Sequence, residues 1–142
     1  MRIRRHLPIL ALAGLLAAPL APAPLGAMGS AAAAPMAEGA APPYDDDLLR
    51  LAEILGGLHY LRPLCGATAE AQRWRDEMAV LIETEQPSEA RKGKMIASFN
   101  RGYSSFAQVY RGCTPAARSA VERQLEEGAR LAHEIVVRYG GN

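Results

Sequence analysis

The chain has 142 residues, and the roughly one hundred that follow its Ala/Pro-rich N-terminal stretch suffice for one domain with a modest core. Apolar residues make up 49% of it but aromatic residues only 6%, so Leu, Ala, Val and Met have to build most of the interior. The formal net charge of +1 hides an uneven layout: three of the sixteen basic residues are Arg2, Arg4 and Arg5, all fifteen acidic residues come later, and the remainder carries −2, which argues against a nucleic-acid footprint.

The first twenty residues, MRIRRHLPILALAGLLAAPL, place a basic stretch before an apolar one that runs from Leu7 to about Ala21. That is the layout of an export signal, and the apolar run is short for a membrane span of ~20 residues. Small residues suited to cleavage follow, so residues 1–34 are read as a signal peptide. An uncleaved inner-membrane anchor is the alternative, because no charged residue occurs between Leu7 and Ala37. Residues 35–43 continue the Ala/Pro/Gly-rich composition, which buries too little apolar area to offset its ordering entropy, and are expected to be a disordered linker. Residues 44–140 are the expected folded domain, and the periplasm its expected location.

From Tyr44 onward the apolar period is helical. A first helix follows Asp45, Asp46 and Asp47, which suit a helix N-terminus, and is expected to stop near Arg62 because Pro63 disfavours its continuation. A second is expected from a Thr68 cap, with Ala71, Trp74, Met78, Leu81 and Ile82 on its buried face. A third begins at Pro87-Ser88 and carries the aromatic stripe Phe99, Tyr103, Phe106 and Tyr110 after Met95. A fourth begins at Thr114-Pro115, a cap followed by proline at the first helical position, with Val121, Leu125, Ala132, Ile135 and Tyr139 expected inward. Strand signals are absent and the connections are short, so the expected fold is all-α: a small up-down four-helix bundle.

In such a bundle Cys65, just past the first helix, and Cys113, just past the third, lie at the same pole. An oxidising compartment would close them into a disulfide. The alternative is a thiol-dependent enzyme using Cys65 with His59 as its base, six residues before it in HYLRPLCG. No C-x-x-C redox motif, covalent haem motif, phosphate loop or G-x-S-x-G elbow occurs, and His59 and His133 have no metal-ligand partner at helical spacing, so neither cofactor nor metal is expected. The basic run 91–94 and the Arg/Glu alternation of the fourth helix read as solvated faces.

Two surfaces are candidates for binding. The first helix is apolar over more of its circumference than a bundle helix needs, which makes it either a central helix or one that offers Leu49, Gly56 and Tyr60 to a homodimer or other partner. Gly56-Gly57 weakens the helix and lets another backbone come close. Asn100, Ser104, Gln108 and Arg111 form a polar strip on the third helix that could suit a glycan or peptide.

The runs DDDLLRLAEILGGLHYLRPLCG, QRWRDEM and FNRGYSSFAQVYRGCTPAA together resemble a family of small exported alphaproteobacterial proteins, a domain of unknown function. The resemblance covers about residues 44–139. It implies export and a disulfide between two well-separated cysteines, here Cys65 and Cys113, and it implies no activity, substrate or cofactor. The functional expectation is therefore a non-enzymatic exported module that binds a protein partner or an envelope component. The alternative is a small-ligand bundle with a cavity among the aromatics of the third helix.

Overall fold

The computed structural model describes residues 40–140, so the expected export signal and residues 35–39 of the linker lie outside the described residues. Four α-helices and one short 3-10 turn make up the domain, with no strand among the described residues: α1 Asp45–Leu64, the turn Thr68–Glu70, α2 Arg73–Glu85, α3 Glu89–Val109 and α4 Pro115–Tyr139.

The local signals of α3 and α4 act as expected. Ser88 Oγ accepts the backbone N–H of Arg91 at 3.3 Å, and Thr114 Oγ1 accepts that of Ala117 at 3.1 Å. Two other boundaries differ. α1 runs through Pro63 to Leu64, because a missing N–H matters little in a last turn whose remaining donors are met locally: Cys65 N–H reaches Leu61 O and Ala67 N–H reaches Arg62 O, each at 3.0 Å. Thr68 opens the 3-10 turn instead of capping α2, since Arg62 pulls Glu70 back in a two-pronged ion pair that tightens the α1–α2 connection. Asp45, Asp46 and Asp47 occupy the first turn of α1 without a side-chain cap. Asp45 instead receives the Arg91 guanidinium at 2.7 Å, with both side chains about 15% exposed, which ties the start of α1 to the start of α3.

α1 is the hub. Leu48, Ile54, Leu58 and Leu61 on it are almost fully buried, and α2, α3 and α4 each pack against it. The ordered pairs Asp45 with Arg91, Glu53 with Arg101, Tyr60 with Tyr110 and Cys65 with Cys113 show α1 and α3 running parallel. The pairs Tyr44 with Tyr139 and Arg50 with Glu127 show α4 running the other way. The alternation of an up-down bundle is therefore present, but its closed ring is not: the diagonal helices α1 and α3 make the most extensive contact, and α2 and α4 do not close on each other.

Glycine causes this departure. A Cβ on Gly56 would stand 1.9 Å from the Phe99 carbonyl oxygen, and one on Gly102 would stand 1.9 Å from that of Glu53. The two backbones touch where α1 and α3 cross. Gly57 is buried too, beside the Phe106 ring and Gln124. The polar residues of α1 are also engaged: Arg50 holds Glu127 of α4 through two bonds of 2.8 Å, and Glu53 meets Arg101 of α3 at 3.2 Å.

α4 is rotated relative to its expected inner face. Ala117, Ala120, Val121, Gln124 and Leu131 are buried, whereas Leu125, Ala132 and Tyr139 are exposed. Small residues set this orientation, because a Cβ on Gly128 would already lie 3.1 Å from Ile54 Cγ2. α4 approaches α1 through a side rich in small residues, with Val121 and Leu131 in the core and Leu125, Val136 and Val137 outside it.

Gly56→Ala and Gly102→Ala should each cost more than ~3 kcal/mol, since backbone has to move to admit the methyl group. Gly93→Ala, in the same helix as Gly102 but with nothing near its would-be Cβ, should stabilise by ~0.5–1 kcal/mol. Urea unfolding of the three oxidised variants checks the contrast.

Candidate functional site

The stretch HYLRPLCG ends α1 at the disulfide pole. Cys65 and Cys113 are bonded, with Cα atoms 4.8 Å apart, and the chain has no further cysteine. Arg118 Nη1 lies 3.5 Å from Cys113 Sγ. Tyr60 donates its hydroxyl to the Tyr110 carbonyl, and Arg62 is held by Glu70. His59 is half-buried, with its ring centroid 5.6 Å from that of Phe99 and 5.7 Å from that of Tyr103. Burial pushes its pKa below 6.5, the positive charge of Arg75 adds to that, and a hydrogen bond with the Ala71 backbone opposes it. Cys65 thus has no free thiol in this state, and His59 is a neutral ring in an aromatic setting. The thiol-dependent alternative lacks its nucleophile.

The α1 face expected for a partner is used within the chain. Gly56 forms the crossing with α3, Tyr60 bonds the end of α3, and Leu49 packs against the core. The second backbone that Gly56 admits belongs to this same chain. Asn100, Ser104, Gln108 and Arg111 are all exposed on α3 and just beyond it. Only Asn100 borders a depression, a shallow one of about 280 Å³ between α2 and α3. Nor do the α3 aromatics line the groove between α2 and α4. Phe99 is buried, Tyr103 stands edge-on to Tyr60, and Phe106 stacks with Tyr110.

A larger depression than that one lies between α2 and α4. It is an open groove of about 420 Å³. Leu51, Ile54, Leu55 and Leu58 of α1 form its floor. Trp74, Val80 and Leu81 give one wall, and Leu125, Ala129 and Ala132 the other. Its volume falls within the ~300–1,000 Å³ of known ligand sites and far exceeds a packing void. Val80 is 56% exposed and Leu125 37% exposed, so the rims are apolar as well. Glu77 is the one ionisable residue in the lining, and it meets only Arg73, at 3.9 Å across an exposed pair.

The sequence pattern carried a partial signal for this groove: Leu125 and Ala132 stood out as apolar residues of the fourth helix, but as core. Among the described residues no group of three or more His, Cys, Asp or Glu side chains could hold a metal ion, and no helix is long and apolar enough to cross a membrane.

Residues 43–139 match the model of a family described as "Protein of unknown function (DUF2385)". No curated protein and no solved structure matches the chain.

Acid should destabilise the domain in two steps. A His59 pKa lowered by folding means the unfolded chain binds more protons, so stability is complete above pH 6.5 and falls as pH drops through the folded value. Glu127 and Glu70 are held below 4.5 by hydrogen bonds from Arg50 and Arg62, and their contributions are lost below that pH. The first step should be missing in His59→Gln when melting is followed from pH 7.5 to 3. Reducing the disulfide, which links residues 48 apart, should cost about 4 kcal/mol in equilibrium unfolding.

Proposed function

The chain belongs to this family of proteins of unknown function, and we propose that its domain is an exported, disulfide-stapled binding module that acts through the α2–α4 groove and not through catalysis. The groove itself carries this reading. The floor residues Ile54, Leu55 and Leu58 of α1 are themselves buried, but the walls above them do not meet and leave the apolar rims Val80 and Leu125 exposed. Burial drives association in proportion to the apolar area removed from water, so this surface is where a partner gains most. Export is supported by the closed Cys65–Cys113 pair, because such bonds persist in oxidising compartments, and the periplasm is the compartment proposed.

A small apolar ligand is the second reading, favoured by the groove's volume. It replaces a cavity among the α3 aromatics, which are spent on packing against α1 and one another. A protein segment is preferred because the groove is open along its length and its rims, Val80 and Leu125, would also be covered by an extended partner.

Trp74 is the only tryptophan of the chain and lines the groove, so it reports occupancy directly. A neutral apolar dye such as Nile red should quench Trp74 emission and bind at least tenfold more weakly to Val80→Asp and Leu125→Asp. Ser104→Asp, on the opposite polar strip, should leave binding unchanged. Equal binding to all four proteins would place the dye outside the groove and end this reading.

A further inference from the structure

We infer that the Cys65–Cys113 bond exchanges with thiols in one direction: the incoming sulfur joins Cys65, and Cys113 departs as the thiolate. The two cysteines stand at opposite kinds of helix end. Cys65 is the C-cap residue of the 20-residue α1, and its N–H bonds the Leu61 carbonyl at 3.0 Å. The unpaired carbonyls of such a terminus present partial negative charge, which disfavours a thiolate. Cys113 immediately precedes Thr114, the N-cap of the 25-residue α4, where the helix presents partial positive charge. A side chain adds to this independently, because Arg118 Nη1 lies 3.5 Å from Cys113 Sγ. No carboxylate in the same segment offsets that charge: residues 110–121, YRGCTPAARSAV, hold two arginines and no acidic residue. Beside Cys65 the nearest cation in the chain, Arg62, is committed to Glu70.

A cation and a helix N-terminus both favour the thiolate form, and in thiol–disulfide exchange the sulfur of the more acidic thiol leaves faster. Neither cysteine is fully buried, as attack by an external thiol requires. In the first step the thiolate of the reductant bonds Cys65 Sγ, the bond between the two cysteines breaks, and its electron pair stays on Cys113 Sγ beside Arg118. A mixed disulfide on Cys65 results, with no net transfer of electrons. A second thiol then attacks the reductant's sulfur and releases Cys65 as a thiolate. Two thiols are thereby oxidised to a disulfide while the cysteine pair is reduced. In the reverse direction Cys113 is the nucleophile that closes the bond. Cys65 is thus the position that carries a thiol adduct, and Cys113 is the reactive half of the pair. Exchange frees the end of α1 from the connection between α3 and α4, so it acts on this pole and is independent of the groove.

The test starts from the oxidised, folded protein, so no cysteine has to be replaced. It is exposed briefly to 2-mercaptoethanol, which carries no charge beyond its own thiolate, and quenched early with N-ethylmaleimide. Peptide mass spectrometry then reads which cysteine holds the mercaptoethanol and which the maleimide. The adduct should sit on Cys65, with maleimide on Cys113, in at least about threefold excess over the reverse arrangement. Arg118→Glu replaces an exposed side chain by one of opposite charge and should bring the ratio to parity or below. Higher salt should lower the ratio in the unaltered protein, because the guanidinium is exposed. Equal adducts on the two cysteines, or a majority on Cys113, would overturn the inference. A Cys65 excess that Arg118→Glu leaves unchanged would trace the direction to access alone and overturn it as well. So would a bond that thiols open only after denaturant has unfolded the domain.

Discussion

The contact of backbone on backbone at Gly56 and Gly102 is the constraint from which the rest of the architecture follows. Two parallel helices in an alternating bundle are normally diagonal and separated by the core. Here each glycine opens the space into which the other helix's peptide group moves, to Phe99 O on one side and Glu53 O on the other. Close approach brings Phe99 and Met95 of α3 into the core built on α1. It also leaves α2 and α4 attached chiefly to α1, with a gap between them. The groove is thus a consequence of where glycine sits, not a defect in packing.

The disulfide and the ion pairs hold that crossing in register. Asp45 with Arg91 fixes one end of the α1–α3 pair, and Cys65 with Cys113 fixes the other, where the Tyr60 hydroxyl also binds the Tyr110 carbonyl. Between them Glu53 meets Arg101 close to the crossing. A small domain gains much from such staples, since its net stability is a small difference between large opposing contributions. The chemically dense stretch HYLRPLCG is therefore a structural terminus. Its tyrosine, arginine and cysteine each have a partner that joins α1 to the next segment or to the end of α3.

A helix that is apolar nearly all round has two explanations, a hidden partner or a central place in its own fold. α1 is central, and an open apolar groove lies one layer further out, where α2 and α4 do not meet. The same small residues that let α4 reach α1, Gly128 above all, rotate Leu125 and Ala132 out of the core and into the groove wall. The central place of α1 and the open groove are two results of one packing choice.

Helix positions, two of the four caps and the pole shared by the two cysteines were all legible in the chain, because they depend on residues near one another or on topology alone. The length of α1 beyond Pro63 and the 3-10 turn at Thr68 were not, since both depend on which groups meet at the end of the helix. The groove was legible only in part. Periodicity reports that Leu125 and Ala132 are apolar, but not whether a neighbour covers them. By itself the sequence determined an all-helical domain whose two cysteines share one pole. Only the tertiary structure decided that Gly56 and Gly102 meet, that α1 is the hub and that α2 and α4 stand apart. The physical reason is that close approach is a property of pairs of distant residues, and glycine, which permits it, has no side chain through which a local pattern could reveal its partner.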